Sequence, residues 1–370
     1  MLFQIDKNEL MNAISIVSKA LSSRTPHPLL EGVYLTCHEN DITLICSDGA
    51  LQIETTVPAD VSQGGEIVLP GRLFFEIIRK LPNDRITIEQ TNEHMAAVQI
   101  QCSHSKANLQ GFSADEYPKM QALSSPKSMK ILQPVLRDMI RQCAFATASD
   151  EARPILTGVL FESRPDVLRL VGLDGYRLAI RTEPAEADIE INAIIPSSAL
   201  NEISKILTDD VEEKVTVSFS PSNVQMNFGQ TCIHSVLLNG EYMKYEQIFP
   251  KEHDTTVHVN RKELLDAIER TSLMARESKN NLIKFVIENE RMTILANSEI
   301  GNAQEDLLIH STGADLEIAF NARYMQDVLS RLDDDEIVMR FHTNITPCVI
   351  EPISGHSFYY LVLPVRMFQR

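Results

Sequence analysis

Three stretches of thirteen residues decide the reading: LPGRLFFEIIRKL from Leu69, IPSSALNEISKIL from Ile195 and FNARYMQDVLSRL from Phe320. Set beneath one another, they align Glu76 with Glu202 and Asp327, Ile77 with Ile203 and Val328, and Leu81 with Leu207 and Leu332. Each opens on an apolar strand end and passes into an amphipathic helix, with apolar residues three and four apart. Working outward, a second helical block recurs: ELMNAI from Glu9, VLRDMI from Val135 and ELLDAI from Glu263. Between the two helices lie alternating segments at 42–46, 168–172 and 292–296. The first two run into Asp48-Gly49 and Asp174-Gly175, the third into Asn297-Ser298-Glu299.

The repeat starts at 69, 195 and 320, a period far above that of a solenoid. It predicts three similar α+β domains in tandem, each with two helices and antiparallel, hairpin-like strands. The expected domains are 1–122, 128–250 and 252–370. They are separated by polar, Pro- and Ser-containing breaks (QALSSPKSMK and PKEHDTT) suited to linkers.

Composition narrows the function. The 370 residues carry a net charge of −17, which taken whole argues against phosphate binding. The distribution matters more than the sum. Basic residues such as Lys7, Lys19, Arg72, Arg79, Lys80 and Arg137 fall in or beside the expected helices, as do Arg141, Lys205, Lys262, Arg270, Arg323 and Arg331. Acids are dense elsewhere, as at 209–213. Inward-facing helices would make a mildly basic channel in a negative protein.

No apolar run nears twenty residues, and the alternating start LFQID lacks the pattern of a signal peptide, so a cytoplasmic protein is expected. The six cysteines form no CxxC and suit reduced thiols. GxSxG, P-loop, GxGxxG and HExxH motifs are absent, so neither catalysis nor a cofactor is expected. Cys102-Ser103-His104 and Cys232-Ile233-His234 would each put Cys and His on one face of a strand. They read as related strand positions in two repeats rather than halves of a metal site. The acidic run 333–336 reads as a solvated loop.

Several segments sharpen this. Ser23-Arg24-Thr25, FSADEYP from Phe112, RPILTG from Arg153, DGYRL from Asp174 and YLVLPVR from Tyr360 together resemble the bacterial β sliding clamp family, the processivity subunit of DNA polymerase III. The resemblance spans the whole chain. It implies a non-catalytic, head-to-tail homodimeric ring around duplex DNA, held without reading sequence. Helices line the hole and sheets form the rim. It implies subunit contacts at Leu81, Ala107 and Leu109 on one side and Leu273 and Met274 on the other. DNA contacts would come from Arg24, Arg72 and the loop with Asp150, Arg153, Pro154 and Ile155. In that loop Asp150, Pro154 and Ile155 depart from the polar and aromatic residues of some relatives.

It further implies a pocket for short linear motifs of the replicative polymerase, the clamp loader and repair polymerases. One wall would be Leu156, Leu173, Gly175, Tyr176, Arg177 and Leu178. Met243, Gln247 and Ile248 would add a second, and Asn321, Tyr324 and Ile345 a third. The C-terminal Leu361, Val362, Leu363, Pro364, Val365 and Arg366 would complete it. Leu173 stands where threonine is common, and Met243 where proline is common. The tail Met367-Phe368-Gln369-Arg370 runs past the motif and could cover or extend the groove. A rival reading, a protein-binding scaffold that never touches DNA, predicts the same pocket without the channel.

Overall fold

A computed structural model describes residues 1–370 except 23, 24, 26, 93, 94, 122, 125, 151, 187, 188, 278–280 and 367–370. The repeated blocks fold alike. A short strand leads without a loop into each helix of the first set: Leu2–Asp6 into α1 (Lys7–Val17), Lys127–Leu132 into α3 (Gln133–Cys143), and Thr255–Asn260 into α5 (Arg261–Ala275). The second set behaves the same way: Gly65–Pro70 enters α2 (Gly71–Lys80), Ile191–Pro196 enters α4 (Ser197–Ser204), and Leu316–Asn321 enters α6 (Ala322–Leu329).

The reversal is chemical. Asp6, Asn260 and Asn321 hold extended backbone while their side chains accept the first free helical N–H groups, from Asn8, Glu263 and Arg323 at 2.7, 3.0 and 3.0 Å. In α1 the buried positions are Leu10, Ala13, Ile14 and Val17, a stripe of period 3.6. In α5 the stripe runs Leu264, Ala267, Ile268, Thr271 and Ala275.

The chain packs as two compact units, Met1–Pro134 with Ser198–Leu237, and Val135–Ser197 with Leu238–Arg370. The division cuts through the middle repeat because strands of neighbouring repeats share sheets. The first unit holds a five-stranded sheet, Asp60–Gln63, Leu2–Asp6, Arg85–Asn92, Met95–Cys102 and Ser105–Gln110 in spatial order. Its eight-stranded sheet joins Leu51–Pro58 of the first repeat to Thr231–Val236 of the second, Ile53 opposite Ile233. The second unit holds a nine-stranded sheet, in which Arg177–Pro184 of the second repeat pairs with Phe358–Val362 of the third. Its other sheet orders Gly301–Leu308, Arg291–Ser298, Leu282–Glu288 and Leu316–Asn321. All these pairings are antiparallel.

The Cys/His expectation needs correcting at one end. Cys102 closes its strand, Ser103 takes φ +50° and His104 completes a turn, so no strand face carries both residues. Cys232 is the second residue of its strand and does share a face with His234, Sγ to Nε2 3.2 Å. The two cysteines therefore occupy different repeat positions. Cys102 pairs across its hairpin with Ser105, as Phe228 does with Thr231.

Candidate peptide groove and nucleic-acid contacts

The groove is built on a turn. Asp174 Oδ1 accepts the backbone N–H groups of Tyr176 and Arg177 at 2.8 and 2.9 Å. Gly175 takes φ +93°, a conformation that favours glycine. The turn leaves Tyr176 59% exposed, and its ring stacks on Tyr324 of α6 with centroids 5.7 Å apart. Tyr324 packs partly on the neighbouring core, while Leu156, Leu173, Leu178 and Leu361 are buried in one cluster with Tyr242 and Tyr245. Ile155, Ile248 and Leu363 pack against it, partly buried. Met243 and Ile345 are exposed, as is Gln247. Desolvation, then the nearby Asp174 carboxylate, raises the Tyr324 pKa above its ordinary value.

The structure brings many of the residues named from sequence to this one surface, with three differences. Arg177 is not a free recognition group. It is largely buried, and it donates through Nε to Asp174 (3.0 Å), through Nη1 to Asp327 (2.5 Å) and through Nη2 to the Phe145 carbonyl (2.9 Å). Its guanidinium also lies 4.9 Å from the Tyr324 ring centroid. It fastens the turn to α6 and thereby positions the shelf.

Val362 points away from the groove. Strand side chains alternate, so Leu361 faces the apolar slot while Val362 enters the opposite core with Phe320 and Tyr360. The strand Phe358–Val362 is interior, with Arg177–Pro184 on one side and Cys348–Pro352 on the other. Past it the chain is held by two bonds, Leu363 N–H to the Tyr176 carbonyl (2.9 Å) and Val365 N–H to that of Ala319 (2.7 Å). Pro364 and Val365 are half-buried and Arg366 is exposed. Asn321 serves as the α6 cap.

The third difference lies in the loop assigned to DNA. Pro154 starts the short helix Pro154–Thr157, and Ile155 turns into the groove cluster and lies against Gly240. Asp150, Arg153 and Pro154 present exposed side chains, with Arg153 beside Gly175. Arg72, second residue of α2, is exposed. Arg24 lies outside the described residues, as does the tail 367–370.

The helical basic residues are less available than their count suggests. Arg79, Lys205, Lys262 and Arg270 pair with Glu76, Glu202, Asp266 and Glu305, and Arg141 pairs with Asp333. Lys7 donates to the Leu81 carbonyl.

Residues missed from sequence include Tyr242, Tyr245 and Phe249. Tyr245 donates to Glu162 Oε2 (2.5 Å), and burial, then that carboxylate, pushes its pKa up to about 12. The aromatic spacing of EYMKYEQIF was the available signal. Among the described residues, no group of three or more His, Cys, Asp or Glu could hold a metal, and no helix is long and apolar enough to cross a membrane.

Fold and site define the class: a three-repeat antiparallel α+β protein whose clustered site is an apolar groove with an aromatic rim. Known proteins narrow it. Models of the N-terminal, central and C-terminal domains of the DNA polymerase III beta subunit match residues 1–121, 130–244 and 246–366. The beta sliding clamp of Staphylococcus epidermidis is 34% identical over 99% of each chain. The solved DNA polymerase sliding clamp of Bacillus subtilis has a TM-score of 0.96 at 34% identity and covers 100% of both chains. A sliding clamp of Pseudomonas aeruginosa bound to griselimycin has a TM-score of 0.94 at 25% identity, covering 99% of this chain and 100% of that one. The chain belongs to the DNA polymerase III beta subunit family, the sliding clamps.

Proposed function

We propose that two copies of this chain close head to tail into a ring around duplex DNA, and that the groove tethers replicative polymerase, clamp loader and repair polymerases by short linear motifs. One pattern of strand pairing carries the ring. Leu51–Pro58 of the first repeat pairs with the last strand of the second, and its counterpart Arg177–Pro184 pairs with the last strand of the third. By the same rule Gly301–Leu308 needs a strand equivalent to Ser105–Gln110, and each is the outer edge of its sheet. Joining them between copies merges four- and five-stranded sheets into one of nine, the size already present in the second unit. It also removes two open edges, a strong reason for association. Two different edges make a heterologous contact, and three repeats per chain suit closure at two copies.

Apolar side chains beside the edge fit this reading: Leu273 is 56% exposed, Ile300 74% and Leu308 86%. Leu81 and Ala107 are half-buried, while Met274 packs partly on its own core. Leu109 is buried within its sheet and would contribute through backbone.

Arg72, Arg153 and Arg24 would touch phosphates without reading bases, as sliding requires. The ion-paired helical cations would add little, since exposed pairs are weak and screened by salt. The test is topological. Protein loaded on nicked circular DNA should stay bound at moderate salt and run off once the circle is cut. Loss at equal rates from circles and linear DNA would leave the DNA-free scaffold. A stable monomer mass at micromolar concentration would remove the ring.

A further inference from the structure

The first unit holds a cavity of about 470 Å³ between His27-Pro28-Leu29 on one side and Phe112, Ser113, Asp115 and Glu116 on the other. Phe112, 45% exposed, forms its apolar wall with the partly buried Leu29. Asp115 and Glu116 are exposed at the rim. The Ser113 hydroxyl donates to Asp115 Oδ2 (2.8 Å) and fixes one carboxylate there. No Lys or Arg lines the cavity among the described residues.

Comparison of the repeats explains why it is open. Phe112 N–H donates to the Val68 carbonyl as Leu238 N–H does to that of Ile194, and Tyr117 OH donates to the Ile45 carbonyl as Tyr242 OH does to that of Val171. Between these matched anchors the first repeat carries one residue more. In the second repeat Ile155, counterpart of Leu29, packs on the shorter segment: it lies so near Gly240 that an added Cβ would stand 2.6 Å from its Cδ1. In the first, the longer segment carries an exposed aromatic and two carboxylates instead.

We propose that this cavity is a second docking site, separate from the groove at Tyr176, for a short extended segment of a partner protein with an apolar side chain next to Lys or Arg. The volume suits one or two side chains. Phe112 offers a flat apolar contact of the kind that anchors interfaces, and the paired carboxylates select a cationic neighbour.

The test uses the full chain and a panel of nine-residue peptides with central Leu, Phe or Met flanked by arginines, beside the same panel with glutamates. Binding is read by the methyl NMR shift of Leu29 and by fluorescence anisotropy. Arginine peptides should shift Leu29, and Phe112→Ala should weaken them at least about tenfold. Asp115→Lys with Glu116→Lys should transfer binding to the glutamate panel. A peptide docked in the Tyr176 groove should not compete. Phe112 is half exposed, so the variant should unfold at the wild-type temperature. The site is refuted if no panel member shifts Leu29, if both panels bind alike, or if Phe112→Ala leaves affinity unchanged.

Discussion

Replacing Arg177 with Ala tests whether the groove is pre-built or assembled by its ligand. The guanidinium is 11% exposed and joins Asp174 (12%) to Asp327 (33%). Breaking a buried pair by removing one partner costs about 3–5 kcal/mol, because a charge stays behind uncompensated. Here the figure falls. Asp174 keeps two backbone N–H donors, and Asp327 is a third exposed and can hydrate. A loss of about 2–3 kcal/mol is expected. In a multidomain chain the absolute unfolding energy is ill-defined, so the measurement is a double-mutant cycle. Arg177→Ala, Asp327→Asn and the pair are compared by guanidinium denaturation, with an expected coupling of about 1–2 kcal/mol. Tyr324 also loses the cation 4.9 Å from its ring, so a polymerase-motif peptide should bind about tenfold more weakly, equal to about 1.4 kcal/mol. Arg177→Lys keeps charge without the fork and should fall between. Coupling under about 0.5 kcal/mol with unchanged peptide affinity would show that Arg177 does not position the shelf.

Four further outcomes are expected. Leu273→Asp, at an exposed position of α5, should leave monomers by sedimentation where the unchanged chain forms the proposed dimer; an unaltered dimer in the variant refutes the proposed edge. Arg72→Glu should weaken DNA binding alike for all sequences and reduce the log–log salt slope by about one, and a sequence-dependent loss would contradict phosphate contact. Removing residues 364–370 should lower motif-peptide affinity while leaving the melting temperature near wild type. The cut must spare Leu361 and Val362, which are 2% and 0% exposed in an interior strand. His234 is buried, and desolvation holds its pKa below the ordinary value. The unfolded chain therefore takes up the proton first: the stability is present above about pH 6.5 and is lost as pH falls toward the depressed folded value. In His234→Gln that loss should vanish from unfolding midpoints measured across this window; parallel curves would refute it.

The sequence revealed what repeats and little of what a repeated position does. The helices were legible from apolar residues three and four apart in aligned blocks; the caps Asp6, Asn260 and Asn321 that start three of them emerged only in the structure. Pairing between repeats left no local signal, since a strand's partner lies elsewhere in the chain. The division into two units was invisible for that reason. Arg177 was misjudged because a side chain's free donors depend on what surrounds it in space, here Asp327, 150 residues away. Val362 was misassigned by treating a continuous motif as one surface, although strand alternation already divides it. The Cys/His pairing at 102–104 failed at Ser103, whose positive φ is local but which sequence alone did not mark as a turn.

Why the second repeat carries the groove can be argued from register. The turn Asp174-Gly175 has a close copy in Asp48-Gly49: Asp48 Oδ1 accepts from Ala50 and Leu51 at 2.8 and 2.7 Å, and Gly49 takes φ +94°. The next link is also copied, Val236 N–H to the Ala50 carbonyl matching Leu363 N–H to that of Tyr176. The side chains diverge on this shared frame. Leu173 faces Leu178, which faces Leu361; in the first unit the same register sets Ser47 against Gln52 and Gln52 against His234. All three polar groups are buried, and Gln52 Oε1 accepts the Met120 backbone N–H at 2.8 Å, so the chain itself caps the position. A buried polar row satisfied from within cannot become an apolar slot without leaving donors or acceptors unpaired. Tyr176 and Arg177 are likewise replaced by Ala50 and Leu51, which removes both the shelf and the residue that fastens it. A Gln52→Leu, His234→Leu chain should thus gain no affinity for the motif peptide, because the shelf and its α6 partner Tyr324 have no counterpart on that turn. Binding by that double variant, after the Tyr176 groove is blocked with Tyr176→Ala and Tyr324→Ala, would show that the apolar slot alone suffices.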